Sequence, residues 1–538
     1  MRKFLIVVVA ATLASAAHGA PPKLIVAISV DQFSADLFDE YRPHYTGGFA
    51  RLASGAVFHN GYQGHAATET CPGHSTILTG DRPARTGIIA NNWVDQSIER
   101  DDKGVYCAED ERVAGSSTTS YTVSPLHLLV PTFGERLKDA HPGSRSVAVS
   151  GKDRAAVMMS GHKVDQRWYW TGDKFVTDQK GAAVPAKVAD LNAAVANALS
   201  APRPALEAPP LCEARSKAVA IEGSEKSVGT GHFARNANDQ AAFRASPELD
   251  RDTLALAALL TDDLQLGKRT DTDVLAISLS ATDYVGHTYG TQGAEMCLQL
   301  LALDRELGDF LGALDARGID YAVTLTADHG GLDVPERMRI DGGDKSAARV
   351  DPGLSPGTMG LKLVNQLGLS GFGLLGDGPF GDIYVDHSLP AAQQKRLHAA
   401  AVAAYRKHPQ VEAVFAGAQL AATPLATTPP DQWTLIQRAR ASYYPGRSGD
   451  LIILLKRDIT PISETSRYVA THGSAWDYDR RVPILFWRRG MAATNSETSV
   501  ETVDIMPTLA AWVGLPLAPG AVDGKCLDGV AGVSCPAR

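Results

Sequence analysis

Residues 23–31 read KLIVAISVD, a nearly continuous apolar run that closes on Asp31. A run that is apolar at every position, rather than at alternate ones, predicts a central strand buried on both faces. The pattern recurs. Residues 146–150 (SVAVS) precede Gly151-Lys152-Asp153-Arg154, residues 273–279 (DVLAISL) lead to Asp283, and residues 321–326 (YAVTLT) end at Asp328-His329. Two later runs, 451–455 and 482–487, complete the predicted sheet. Helical patterns over 126–140, 252–264 and 295–316 lie between the strands, so the expected fold is α/β, a mostly parallel central sheet flanked by helices. In open α/β sheets, ligands gather outside the carboxyl ends of the strands. Asp31, Lys152, Asp283, Asp328 and His329 all fall at such ends, and one site assembled from the whole chain is expected there.

The rest of the chain frames that site. At 44% hydrophobic and 21% charged residues, the composition is ordinary for a globular protein. The formal charge of -8 offers no basic field, which argues against nucleic acid as a structural partner. Arg2 and Lys3, the apolar residues 4–13 and the small residues that follow predict a signal peptide over residues 1–20. The run is too short to be a comfortable membrane span, and no later stretch reads as one. A periplasmic or secreted protein is expected, a monomer whose mature part, 21–538, forms a single domain. Insertions are placed at about 156–246, with few strand signals, and about 335–448, with a Gly-rich stretch and a helix over 391–405. Export makes the six cysteines legible as up to three bridges, with 15 possible pairings. Cys526 and Cys535 close a short loop and are predicted to pair. Cys71 reads as a small buried residue, its pairing open.

The polar residues at the strand ends suggest metal chemistry. Asp283 and His287 are spaced by four, which on a helical turn puts carboxylate and imidazole on one face. Asp328-His329 supplies another oxygen and nitrogen, and Asp31 and His472 can complete the set. Asp and His donors without cysteine suit catalytic zinc with open positions. Each fragment alone is a weak signal; their joint placement is not. A nucleophile is expected in Thr68-Glu69-Thr70-Cys71-Pro72-Gly73-His74, where Thr70 reads as an N-cap and Pro72 as first-turn residue of a helix whose N-terminus would favour a phosphate. His74 is read as a supporting hydrogen bonder, and Trp93 and Tyr284 as packing or pocket wall.

These segments resemble the alkaline phosphatase superfamily, in particular the branch holding nucleotide pyrophosphatases/phosphodiesterases and threonine-nucleophile alkaline phosphatases. The resemblance rests on T-x-P-x-H at Thr70–His74, T-G-x-x-P at 79–83, D-Y-V-G-H at 283–287 and A-D-H-G at 327–330. It implies two zinc ions: one held by Asp283, His287 and His472, the other by Asp31, Thr70, Asp328 and His329. It also implies that Thr70 becomes a phosphothreonine, that Asn91 hydrogen-bonds a phosphoryl oxygen, and that Lys152 and Arg154 match the K-x-R element of the monoesterases. The expected substrates are small phosphate monoesters, probed against three rivals. A phosphodiesterase shares nearly every metal ligand and is the main alternative. A sulfatase would need a different nucleophile motif, and a non-catalytic metal-binding receptor would be expected to have lost ligands.

Overall fold

The computed structural model describes residues 20–341 and 345–536, so the predicted signal peptide falls almost wholly outside the described residues. In chain order the strands that matter are β1 (Leu24–Val30), β2 (Ala56–Tyr62), β3 (Ser146–Ser150), β4 (Gln166–Trp170), β5 (Phe175–Val176), β6 (Asp273–Leu279) and β7 (Tyr321–Thr326). They continue with β8 (Leu374–Leu375), β9 (Gly381–Val385), β10 (Val411–Ala416), β11 (Leu451–Leu455), β12 (Arg481–Arg488), β13 (Thr494–Ser496) and β14 (Val500–Glu501). The main sheet runs β13-β2-β12-β7-β1-β6-β3-β4-β5, with β14 paired to β2. Its centre is parallel: β1 lies between β6 and β7, and β3 joins the far side of β6. The direction reverses at β12, which pairs antiparallel with both β7 and β2, and at the edge strand β5, which pairs antiparallel with β4.

The apolar runs form the centre because both faces are covered. Val26, Ile28 and Val30 pack on one face with Leu275 and Ile277, while Ile25 and Ala27 pack on the other with Val274 and Ala276. A strand with two dry faces has no solvent side to mark with alternating polar residues. The long helix Ala294–Ala316 and the helix Pro247–Asp263 cover the first of these faces.

Three expectations are corrected. The run 451–455 does not extend the main sheet. As β11 it forms the middle of a separate antiparallel sheet, β8-β9-β11-β10, with its own apolar core. Hydrophobicity specified a buried strand without specifying which sheet buries it. The helix read over 126–140 is confined to Phe133–Ala140, because Pro131 cannot sit in a continuous helix and Thr132 starts a new one through a capping box with Glu135. Part of the stretch expected as the first insertion belongs to the main sheet instead: residues 153–160 are helical, and Gln166–Trp170 is a main-sheet strand parallel to β3. Its polar first residues, Gln166 and Arg167, hid it.

All six cysteines pair, as Cys71–Cys107, Cys212–Cys297 and the predicted Cys526–Cys535. Among the described residues, no helix is long and apolar enough to cross a membrane.

Candidate active site

Register places the site. Val30 of β1 pairs with Leu279 of β6, Ser29 with Thr326 of β7, and Ser278 of β6 with Ser150 of β3. Four parallel strands therefore end at one level, and the next residues of each turn into the same space. Asp31 follows β1, Asp328 and His329 follow β7, and Lys152 follows β3. Helix Ala281–Tyr289 follows β6 and presents Asp283 and His287 from successive turns.

Two clusters of three donors result. Asp31, Asp328 and His329 form one and Asp283, His287 and His472 the other, with the ligand atoms of each within 4.8 Å of one another. The clusters abut, for the His329 and His472 rings stack with centroids 3.6 Å apart. Each imidazole is oriented through Nδ1 by a backbone carbonyl: His287 by Ala470 at 2.8 Å, His329 by Gly330 at 2.8 Å and His472 by Thr68 at 2.8 Å. A ring nitrogen facing a carbonyl must carry the proton, so Nε2 is left as a lone pair, the arrangement of metal-ligating histidines. Asp31 Oδ1, Asp283 Oδ1, Asp328 Oδ2 and His329 Nε2 are buried with no hydrogen bond. Three buried carboxylates aimed at one space need cations, and the donors fit hard-to-borderline divalent metal.

Lys152 joins the clusters. Its Nζ is 2.5 Å from Asp31 Oδ2 and 2.5 Å from Asp283 Oδ2. Burial opposes its charge, but the two carboxylates outweigh burial and hold Lys152 above its ordinary range. Asp283 is held well below the usual carboxylate range, because His287 and Lys152 overcome its burial. For Asp31, burial and the neighbouring Asp328 carboxylate win over Lys152 and raise it. Burial pushes His329 down to about 3 and also lowers His472, so both are neutral donors.

Thr70 lies fully buried at the edge of this space. It is the first residue of helix Thr70–Thr79, and Glu69, not Thr70, occupies the N-cap position. The helix can reach the end of β7 because Gly73 has no side chain: a Cβ there would stand 2.1 Å from the Asp328 carbonyl oxygen. His74 supports the same helix, with Nδ1 2.9 Å from the Thr70 carbonyl and Nε2 3.0 Å from Ser278 Oγ. Arg154 Nη2 donates to Thr70 Oγ1 at 3.3 Å, and its Nε is buried without a partner. Lys152 and Arg154 do not share one extended segment. Lys152 is the extended N-cap of helix Asp153–Ser160 and Arg154 is in its first turn, so a strand-to-helix corner aims both inward.

Asn91 is held at three points. Its backbone N–H donates to Glu69 at 2.8 Å, its carbonyl accepts from Cys107 N–H at 2.9 Å, and its Oδ1 accepts from Cys71 N–H at 2.8 Å. That leaves the Asn91 Nδ2 donor for a ligand. Glu69 went unnoticed in the sequence; burial pushes its carboxyl up to about 7, and its function here is to position Asn91. Asp153 was also missed, although it stands inside Lys152-Asp153-Arg154. It accepts from the hydroxyls of Tyr106 at 2.7 Å and Tyr121 at 2.8 Å and fixes the corner. Trp93 is core, packed with Ile88, Ile89 and the Cys71–Cys107 pair, whereas Tyr284 lines an open cleft. Tyr384 of the second sheet packs into that same core, and Phe380 lies against Gly473, so the later insertion borders the site.

Sheet, paired donor clusters and helix-borne hydroxyl together define a metallohydrolase of alkaline phosphatase fold. The chain belongs to the type I phosphodiesterase / nucleotide pyrophosphatase family, whose model matches residues 25–475. It is 55% identical to alkaline phosphatase PhoK of a Sphingomonas species, over 95% of this chain and 92% of that one. It is 48% identical to alkaline phosphatase PhoD of Zymomonas mobilis, over 94% and 88%. The crystal structure of alkaline phosphatase PafA superposes with a TM-score of 0.82 at 27% identity, covering 95% of this chain and 99% of that one.

Proposed function

We propose that this protein is an alkaline phosphatase that hydrolyses phosphate monoesters through a phosphothreonine at Thr70. The observation that carries the reading is the placement of Thr70 Oγ1, at a helix N-terminus, 3.3 Å from Arg154 Nη2 and beside two donor clusters that Lys152 links. Asp31, Thr70, Asp328 and His329 would hold one zinc ion and Asp283, His287 and His472 the other. Bound zinc supplies a lowered hydroxyl pKa and neutralises oxygen charge.

The chain's own groups do the rest. Arg154 and Asn91 Nδ2 take nonbridging phosphoryl oxygens, and Lys152 adds positive charge between the clusters. The helix N-terminus adds a further partial positive charge. Thr70 Oγ forms a bond to phosphorus as the bond from phosphorus to the leaving oxygen breaks. The leaving oxygen takes a proton and departs as an alcohol. Water then cleaves the Thr70 ester and releases inorganic phosphate. A diesterase reading is favoured by the family model alone. The Lys152–Arg154 pair favours the monoesterase, since a monoester dianion carries the extra charge they match. With nucleophile and donors all present, a non-catalytic receptor is disfavoured. Three disulfides support a periplasmic or secreted location, and we read the protein as a monomer acting on small molecules.

Thr70→Ala should lose most turnover and Thr70→Ser should keep part. Acid quenching during turnover followed by peptide mass spectrometry should place phosphate on the Thr70 peptide. Phosphate on Thr68 or Ser75, or an unimpaired Ala variant, would show that the nucleophile is another residue.

A further inference from the structure

A cleft of about 820 Å³ opens beside Lys152 and Arg154, between Tyr121, Trp170 and Tyr284. Its volume is that of a site for a small organic ligand, far more than one phosphoryl group needs. The cleft wall carries a third cation, Arg244. The Arg244 guanidinium stands 4.9 Å from the Tyr284 ring centroid, and Lys152 Nζ stands 5.0 Å from the same centroid. One aromatic ring thus contacts both a cation of the phosphoryl site and a cation outside it.

Arg244 makes no ion pair among the described residues. Its one polar contact is a long one, from Nη2 to the Tyr468 hydroxyl at 3.5 Å. The acidic side chain in the cleft wall, Asp153, is already committed to the hydroxyls of Tyr106 and Tyr121. Position matters as much as charge. Tyr284 follows Asp283 directly, and the Tyr468 ring lies 4.8 Å from the His287 ring. Arg244 therefore bridges two aromatics that flank the cluster of Asp283, His287 and His472.

We propose that Arg244 is a specificity residue that receives a second anionic group on the leaving portion of the substrate. The ligand class is phosphate monoesters whose alcohol carries a carboxylate or a second phosphate. This rests on the phosphatase reading proposed above: with Thr70 grouped with Asp31, Asp328 and His329, an in-line leaving oxygen departs on the side of Asp283, His287 and His472. A partly buried guanidinium with no carboxylate partner pairs readily with such an anion, in a planar two-point contact that lysine cannot copy. Tyr284 and Trp170 border the path between the two anions with ring surface.

The test uses 3-phosphoglycerate and glycerol 3-phosphate, which differ only by a carboxylate in place of a hydroxymethyl group. Arg244→Gln should lower kcat/KM for 3-phosphoglycerate about tenfold, the loss of one charge-assisted contact, and glycerol 3-phosphate by less than about twofold. Arg244→Lys should recover part of the difference. Calorimetric binding of both esters to the zinc-loaded Thr70→Ala chain, with and without Arg244→Gln, should show the same selective weakening. That arm reports on Arg244 even if Thr70 proves not to be the nucleophile, whereas a wild type inert to both esters would count against the phosphatase reading. Equal losses on both esters, in turnover and in binding, or no loss on 3-phosphoglycerate, would overturn the proposal.

Discussion

Removing Arg154 separates a monoesterase from a diesterase. The guanidinium reaches Thr70 Oγ1 at 3.3 Å through Nη2 and keeps a buried Nε with no partner, so two donors face the position a phosphoryl oxygen would take. A charge-assisted contact is worth about 1.5–3 kcal/mol, and one made mainly in the transition state therefore changes kcat/KM roughly ten- to hundredfold. Arg154→Ala should lower the rate on an aryl phosphate by that factor or somewhat more. A methyl aryl phosphate lacks the oxygen that the cation matches, and its slower rate should change much less. Adding Lys152→Ala should deepen the monoester loss by orders of magnitude. It also strips the shared cation from Asp31 and Asp283, so the metal content of each variant must be measured beside its kinetics. Equal losses on both esters at full metal content would refute the reasoning, because the pair would then be supporting the fold. A wild type faster on the diester would refute it as well.

Three further outcomes are expected. Chelation should abolish turnover and zinc should restore it, with about two ions per active chain by elemental analysis; full activity in metal-free protein would sink the metal assignment. Replacing Cys212 and Cys297 by Ser should cost about 2–4 kcal/mol in denaturant unfolding, because the bridge closes a loop of 85 residues between helix Pro210–Glu213 and helix Ala294–Ala316. Unchanged stability would show that the loop is already held by packing. Asp250 is fully buried, and burial, against hydrogen bonds from Ala281 N–H and Gln299, raises its carboxyl to about 7. Its stabilising contribution is complete below the ordinary Asp range near 4 and is lost as pH rises to about 7. Asp250→Asn should therefore flatten that part of the stability curve, and a variant with an unaltered slope would contradict the assigned cause.

The central strands were legible because each is apolar throughout and each ends in chemistry. β3, β6 and β7 begin and end where the sequence places them, and their shared register explains why Asp31, Lys152, Asp283, Asp328 and His329 converge. What stayed hidden has physical reasons. β11 is as apolar as β1, and composition says nothing about which neighbour a buried strand chooses. Asn91 sits outside any periodic element, so only its resemblance to a known pattern gave it a role; His472 also lies outside one and entered only as a donor that could complete the metal set. Glu69 acts through a hydrogen bond to the Asn91 backbone, a contact between residues 22 apart that spacing cannot reveal. Arg244 lies in a short helix of the first insertion, Gln240–Arg244, and becomes notable only when the fold sets it across Tyr284.

The Cys71–Cys107 bridge ties catalysis to oxidative folding. One half-cystine directly follows Thr70, and the two backbone N–H groups of the pair grip Asn91 from both sides, at its carbonyl and at its side chain. The proposed nucleophile and the proposed oxygen-binding amide are thereby fastened to one covalent crosslink. In a reducing compartment that crosslink is not made. A newly synthesised chain would carry every catalytic side chain and still lack the fastening that sets two of them in place. Oxidation of Cys71 and Cys107 would then act as a maturation step for the site.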